Sequence, residues 1–440
     1  MKSYTLSILC FVAACGGTED RDTAVEPVGV QQENESETDE AGEAPMEEPE
    51  DVRATGPSEP VESDAATRMN AFGWDLWRRT SGTGNNAMSP SSVLIALAMT
   101  RDGAAGETAA EMDRVLQLQD AGTGEVANAV RRWNSYGDDE NTEFRIVNRL
   151  YGEQTYEFEA PFVASTENRW GAPLERVDFK TAFEAARLNI NSWVARQTHD
   201  RIQELVPTGG IDSQTCLALV NALYFKGKWQ NTFQESSTQE AVFYAPSGRM
   251  NVPTMHQFGY RNYGENDSAQ WLELRYEGGK LAMLFVLPKE RDGLAALEAQ
   301  MSAATLNEWT QQMSSEAVAV AIPRFRVAPA ESVEMGDALQ AMGMPLAFDS
   351  DHADFTAMAN SESPADRLYI SKVFHKAFVE IDESGTEAAA ATAVVIARGA
   401  GAAPDPNQFN ADHPFLFFIR DVDSGAVLFF GRVISPERSE

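Results

Sequence analysis

The stretch "ESGTEAAAATAVVIARGAGAAPDPNQF", Glu383–Phe409, places two conflicting demands side by side. Four alanines, Ala388–Ala391, lead into a largely β-branched run from Thr392 to Ile396, and the segment then dissolves into Gly, Ala, Pro and Asp. Strand side chains alternate between faces. On that period Thr386, Ala388, Ala390, Thr392, Val394 and Ile396 share one face, all small or β-branched and none charged. Glu387, Ala389, Ala391, Ala393 and Val395 form the other, so the one charge falls on the solvent side. The plain reading is an edge strand followed by a long loop. Alanine is a poor choice there, because it has low strand propensity and little to pack. It suits a segment that is sometimes loop or helix and sometimes a strand entering a tight slot. Gly399, Gly401, Pro404 and Pro406 mark the remainder as an exposed loop.

Outward from this stretch the pattern is mixed. "LYISKVFHKAFVEIDE", "HPFLFFIRD" and "AVLFFGRV" around it read as strands, as do "KLAMLFVLP", "AVAVAIPRFRV" and "EFRIVNRLYGE". "CLALVNALYFKGKW" is apolar almost throughout, as in a strand buried on both faces. "AATRMNAFGWDLWRRTS" puts Met69, Phe72, Leu76 and Trp77 on one helical face. "SPSSVLIALAMTRDGAAGETAAEMDRVLQL" reads as two helices, the first entered at a Ser-Pro cap and broken at Gly103. "FEAARLNINSWVARQTHDRI" and "GDALQAMG" are further helices. Helices dominate the first half and strands the second, with no regular βαβ alternation. That is an α+β fold with large sheets.

The 440 residues carry a net charge of −32, which argues against nucleic acid as a partner. Seventeen Asp and Glu against two Arg lie between Thr18 and Asp64, without an aromatic residue. Such a segment buries too little apolar surface to offset its ordering entropy, so residues 15–64 are expected to form an acidic, disordered tether. Ahead of it, "MKSYTLSILCFVAACGG" has a short basic start, an apolar stretch and small residues, the marks of a secretory leader over 1–14. "Val-Ala-Ala-Cys" at 12–15 resembles a bacterial lipobox, with Cys15 as the lipidated residue, and ordinary cleavage near Ala14 is the alternative. The expected location is the cell envelope, as an outer-membrane lipoprotein, or the extracellular space. Of the three cysteines only Cys216 lies in the body, 65–440, where it reads as a buried, inert thiol.

Enzyme signatures are missing. There is no Gly-x-Ser-x-Gly elbow, no His-Glu-x-x-His and no Cys-x-x-Cys. "Gly82-Thr-Gly84-Asn-Asn-Ala87" imitates a dinucleotide loop, but no strand leads into it. His199, His256, His352, His375 and His413 are scattered without metal-ligand spacing. No cofactor, metal or catalytic residue is called for.

Four separate stretches in order resemble the serpin family of serine protease inhibitors, across essentially all of 65–436. These are "NNAMSPSSVLIALAM", "LVNALYFKGKW", "LYISKVFHKAFVEIDESGTEAAAATA" and "FNADHPFLFFI". The resemblance implies three β-sheets, about eight or nine helices and an exposed reactive-centre loop at about 383–408. A protease cleaves that loop and is held as an acyl-enzyme while the loop inserts as a new strand in the central sheet. It further implies a hinge of Gly385, Thr386, Glu387, Ala388, Ala389, Ala390 and Ala391. A shutter of Ser89, Ser92, Asn221 and His375 would lie beneath the sheet, and Trp229 where the sheet first parts. A satisfied polar core is the plain reading of the shutter residues, and a core tryptophan that of Trp229.

Family spacing from Gly385 puts the cut after Gly399, before Ala400. A loop one residue shorter puts it after Arg398 and directs the inhibitor to trypsin-like enzymes. A cut after Ile396 or Ala397 suits elastase- or subtilisin-like enzymes. Arg398 is the only charged side chain between Glu387 and Asp405, which favours it as the anchor and Arg398–Gly399 as the reactive bond. "EVANAVRRWNSYG" lies where some serpins carry a polyanion-binding helix, but two adjacent arginines make no basic face, which argues against a glycosaminoglycan. A monomer whose partner is the target protease is expected, with a non-inhibitory binding or chaperone module as the alternative.

Overall fold

The computed structural model describes residues 5–15, 63–118, 122–136, 142–359, 367–386 and 405–437. The strands are β1 (Thr5–Cys15), β2 (Asn86–Met88), β3 (Thr142–Glu153), β4 (Leu174–Val177), β5 (Thr215–Lys228), β6 (Gln239–Ala245), β7 (Gly248–Glu265), β8 (Ala269–Arg275) and β9 (Leu281–Pro288). They continue as β10 (Ser314–Pro323), β11 (Phe325–Val327), β12 (Val333–Glu334), β13 (Leu368–Ile381), β14 (Gly385–Thr386), β15 (Asn407–Asn410), β16 (Phe415–Asp421) and β17 (Val427–Val433). The helices are α1 (Ser63–Thr80), α2 (Pro90–Arg101), α3 (Gly106–Val115), α4 (Thr123–Asn134), α5 (Ala160–Trp170), α6 (Phe179–Gln197), α7 (Leu294–Gln300), α8 (Ala303–Gln311) and α9 (Gly336–Met342). None of the described helices is long and apolar enough to cross a membrane.

The main sheet runs β11-β13-β1-β5-β3-β4, with β12 also paired to β13 and β14 to β5. The second assembly runs β15-β10-β7-β8-β9-β16-β17-β2, with β6 on β7. It is two sheets joined through the long β7, whose first part pairs with β6, whose middle and latter part pairs with β10 and whose end turns to β8. The expected α+β architecture of three sheets and about eight or nine helices is present, with nine α-helices among the described residues.

β5 explains the layering. Its odd positions Leu217, Leu219, Leu223 and Phe225 belong to the large core beneath the sheet, together with α2. Its even positions Ala218, Val220, Ala222 and Tyr224 pack on the other side against Ile190, Trp193 and Val194 of α6. Strand alternation thus feeds two cores, and the unbroken apolar run is its consequence. Met69, Phe72, Leu76 and Trp77 of α1 are all buried, as their spacing predicts.

One placement was not foreseen. Thr5–Cys15, read from sequence as part of a leader, forms the central strand β1, antiparallel to both β5 and β13. The physical reason lies in its composition: "TLSILCFVAAC" is apolar and uncharged, as both a leader core and a doubly covered strand must be. Cys216, read as an inert thiol, is disulfide-bonded. The chain's other cysteines, Cys10 and Cys15, both lie in β1. The tether at 16–62 lies outside the described residues.

Candidate functional site

The site is the seam between β5 and β13, with the hinge at its upper end and α2 beneath it. β13 leaves the sheet at Ile381, and the chain turns back through Asp382–Ser384. Asp382 closes this turn, its Oδ1 accepting the N–H of Ser384 at 2.8 Å and of Gly385 at 3.2 Å. Burial pushes the Asp382 carboxyl up to about 6 despite those two donors. Glu383 is buried and accepts from Arg324 Nε at 2.8 Å and Nη2 at 2.6 Å, and from the hydroxyl of Thr238. The turn is therefore anchored by two carboxylates that point in different directions.

Gly385 and Thr386 then re-enter the sheet as β14, pairing antiparallel with Lys228 and Gly227. Gly385 has φ +145°, and a Cβ there would sit 2.2 Å from the Gly227 carbonyl oxygen. Only glycine fits this approach. Thr386 is fully buried, and its hydroxyl lies 2.7 Å from that of Tyr276. Trp229 stacks on Tyr276 with ring centroids 4.6 Å apart. Its indole N–H donates to the Asp382 carbonyl at 3.0 Å, and its backbone N–H to the Ser384 carbonyl at 2.8 Å. Trp229 thus holds the top of the seam from both ring and backbone. Sequence reasoning singled out Trp229, Gly385 and Thr386; it missed Tyr276, Asp382, Glu383 and Arg324. The Asp-Glu-Ser run ahead of Gly385 was a visible turn signal, whereas nothing local marked Tyr276 or Arg324.

Lower down, the structure brings Ser89, Ser92, Asn221 and His375 into one buried network. Ser89 is the N-cap of α2, its hydroxyl accepting the Ser92 N–H at 3.1 Å, with Pro90 as the first helical residue. The Ser89 N–H donates to His375 Nε2 at 3.1 Å, so that nitrogen bears the lone pair. The Ser92 hydroxyl donates to Asn221 Oδ1, and Asn221 Nδ2 donates to Asn148 Oδ1 at 2.7 Å. Asn148 in turn reaches the Trp170 carbonyl at 2.8 Å, and Ser91 bonds the Leu428 carbonyl at 3.1 Å. Asn148 and Ser91 were not foreseen, because an Asn in a strand and a third Ser at a helix start look ordinary in sequence. The strand register aligns Asn148, Asn221, Leu9 and His375 in a single row across β3, β5, β1 and β13.

The arrangement is a sheet in which β14 pairs with the upper end of β5 and a buried polar network lies beneath. No group of acidic, His or Cys side chains able to hold a metal occurs among the described residues. Glu387, Ala388, Ala389, Ala390 and Ala391 of the expected hinge, and Ala397, Arg398, Gly399 and Ala400 at the expected reactive bond, lie outside the described residues.

Comparison with known proteins agrees with the architecture. A family model described as serpin (serine protease inhibitor) matches residues 67–436. The leukocyte elastase inhibitor of Homo sapiens is 40% identical over 392 residues, covering 85% of this chain and 99% of that protein. The solved structure of cleaved serpin 42Da superposes with a TM-score of 0.75 at 29% identity, covering 86% of this chain and 99% of that one. A loop-inserted cleaved ovalbumin mutant gives a TM-score of 0.74 at 28% identity, covering 84% and 99%. The chain belongs to the serpin family of serine protease inhibitors.

Proposed function

We propose that this chain is an inhibitory serpin that traps a trypsin-like serine protease by cleavage and insertion of its loop. The observation that carries the reading is β14: Gly385 and Thr386 already pair with β5 and run in the direction of a strand descending between β5 and β13. The protease serine attacks the carbonyl of the residue before the scissile bond, the peptide breaks, and an ester links enzyme to loop. The freed loop extends β14 downward, carrying the enzyme away before water completes hydrolysis. Small uncharged residues on the inward face of 386–396 permit this entry, since a bulky or charged group there would be costly to bury. Arg398 is the proposed anchor in an acidic specificity pocket, with Arg398–Gly399 as the bond cut.

A second reading is favoured by the likeness to leukocyte elastase inhibitors, about 40% identical over most of this chain. Under it, an elastase- or subtilisin-like enzyme cuts after Ile396 or Ala397. We further propose export, with a leader over 1–14, lipidation at Cys15 and an acidic tether over 15–64 holding a monomeric domain at the cell envelope. Mass spectrometry of the exported N-terminus tests that part: an unlipidated start would refute the lipid anchor.

The inhibitory reading is tested by mixing the exported protein with trypsin and, separately, with elastase. A complex resistant to boiling in detergent is expected, with trypsin giving the higher yield, and sequencing the released C-terminal fragment identifies the bond. Loop cleavage without complex, and without a rise in thermal stability, would mean a non-inhibitory member.

A further inference from the structure

We propose that Thr5–Cys15 is an internal surrogate for the reactive loop, which plugs the seam and keeps the chain silent as an inhibitor while it remains attached. The proposal rests on the inhibitory reading above for its consequence, but on strand register for its substance.

β14 and β1 run in the same direction along the same partner. Thr386 lies opposite Gly227, and Thr5 opposite Phe225, so one strand position, opposite Lys226, separates them. If β14 continued straight, Glu387 would face Lys226 and Ala388 would face Phe225. Each residue from Thr5 to Ala13, ahead of the register shift at Ala13/Ala14, therefore stands at the level of the loop residue 383 positions later in sequence (388 − 5 = 383). Thr5 stands for Ala388, Leu9 for Thr392 and Val12 for Val395. The pairing is two-sided: Leu6 to Cys15 face β13, and Thr5 to Ala14 face β5. The two segments cannot occupy those positions together.

Leu9 lies opposite both Asn221 and His375, in the row where the polar network under the sheet is strung, so β1 fills the seam at the level of that network.

The test uses the full chain made in the cytosol so that residues 1–15 stay attached. Two forms are compared, the natural one and an Ile8→Pro, Phe11→Pro double variant. Proline removes ladder donors that a strand paired on both sides cannot spare. The probe is a fluorescent peptide of sequence AAAATAVVIA, that of Ala388–Ala397. The variant is expected to take up at least tenfold more peptide, and to form a covalent trypsin or elastase complex where the natural chain forms little. Equal uptake by both forms, or uptake by neither, would overturn the proposal. Differential uptake with no complex from either form would leave the plug standing and refute the inhibitory reading instead. Hydrogen exchange on the natural chain needs no variant. Amides of Leu6–Ala14 should exchange as slowly as those of β5, and fast exchange there would equally overturn the proposal.

Discussion

At the residue scale, the proposed insertion would start from Thr386. Its side chain is fully buried beside Tyr276, at the first sheet position reached after the Gly385 turn. Arginine there would have to bury an unpaired charge, which forces it out of the sheet. Thr386→Arg should therefore turn the inhibitor into a substrate: complex yield falls at least tenfold while the loop is cut at an unchanged rate, read on a denaturing gel. Unchanged yield would count against insertion. Asp382 gives a pH signature. Its carboxyl sits at about 6, raised by burial from an unfolded value near 3.9. Above pH 6 both states are ionised and the native state bears the whole desolvation cost. Below pH 4 both are protonated and that cost is gone. Stability should thus rise as pH falls from 6 to 4, by on the order of 2–3 kcal/mol from this group. Thermal melts across that window should flatten in Asp382→Asn.

At the scale of elements, the polar network ties α2 to β3, β5 and β13 through groups that have no access to water. Removing one partner leaves a buried donor or acceptor unmet, at about 1–3 kcal/mol. Asn221→Ala loses bonds to both Ser92 and Asn148, so it should fall at or above the upper end of that range. Ser92→Ala loses one side-chain bond and should fall near the lower end. Denaturant midpoints measure both. Because the network holds the sheet over α2, the same variants should pass more easily into loop-inserted or polymeric forms on mild heating. Size-exclusion chromatography would detect that; variants that only unfold would refute the latch role. Trp229→Ala, which empties the stack on Tyr276 and frees the Asp382 carbonyl, should cost about 3–5 kcal/mol.

At the scale of the whole molecule, the inhibitory reading requires a native fold that is metastable once the seam is free. Each cross-strand pair contributes roughly 0.2–1 kcal/mol, and the strand between β5 and β13 adds pairs on both sides. A chain whose seam is empty is thus held from its most stable state by a barrier rather than by an equilibrium. Loop cleavage of the processed protein should raise its thermal midpoint by at least about 10 °C, taking roughly 2 °C per kcal/mol for a domain of this size. With β1 in the seam the sheet is already complete, and the same cut should raise the midpoint by only a few degrees. Calorimetry before and after limited cleavage of each form measures the difference.

The sequence by itself determined the residue types along each strand and helix, and through them the α+β class, the doubly buried β5, the Ser-Pro cap of α2 and the uncharged inward face of 386–396. Those features follow from period and local backbone chemistry, which a linear chain carries in full. It did not determine which side chains meet. Tyr276 reaches Thr386, Arg324 reaches Glu383 and Asn148 reaches Asn221 across tens to more than a hundred residues, because strand order brings them to one level. Nor did it decide between two strands for one seam. Thr5–Cys15 and residues 388–397 are both uncharged and mostly apolar, so composition suits either. Only the tertiary register, with Leu9 set between Asn221 and His375, distinguishes the occupant from the strand whose place it takes.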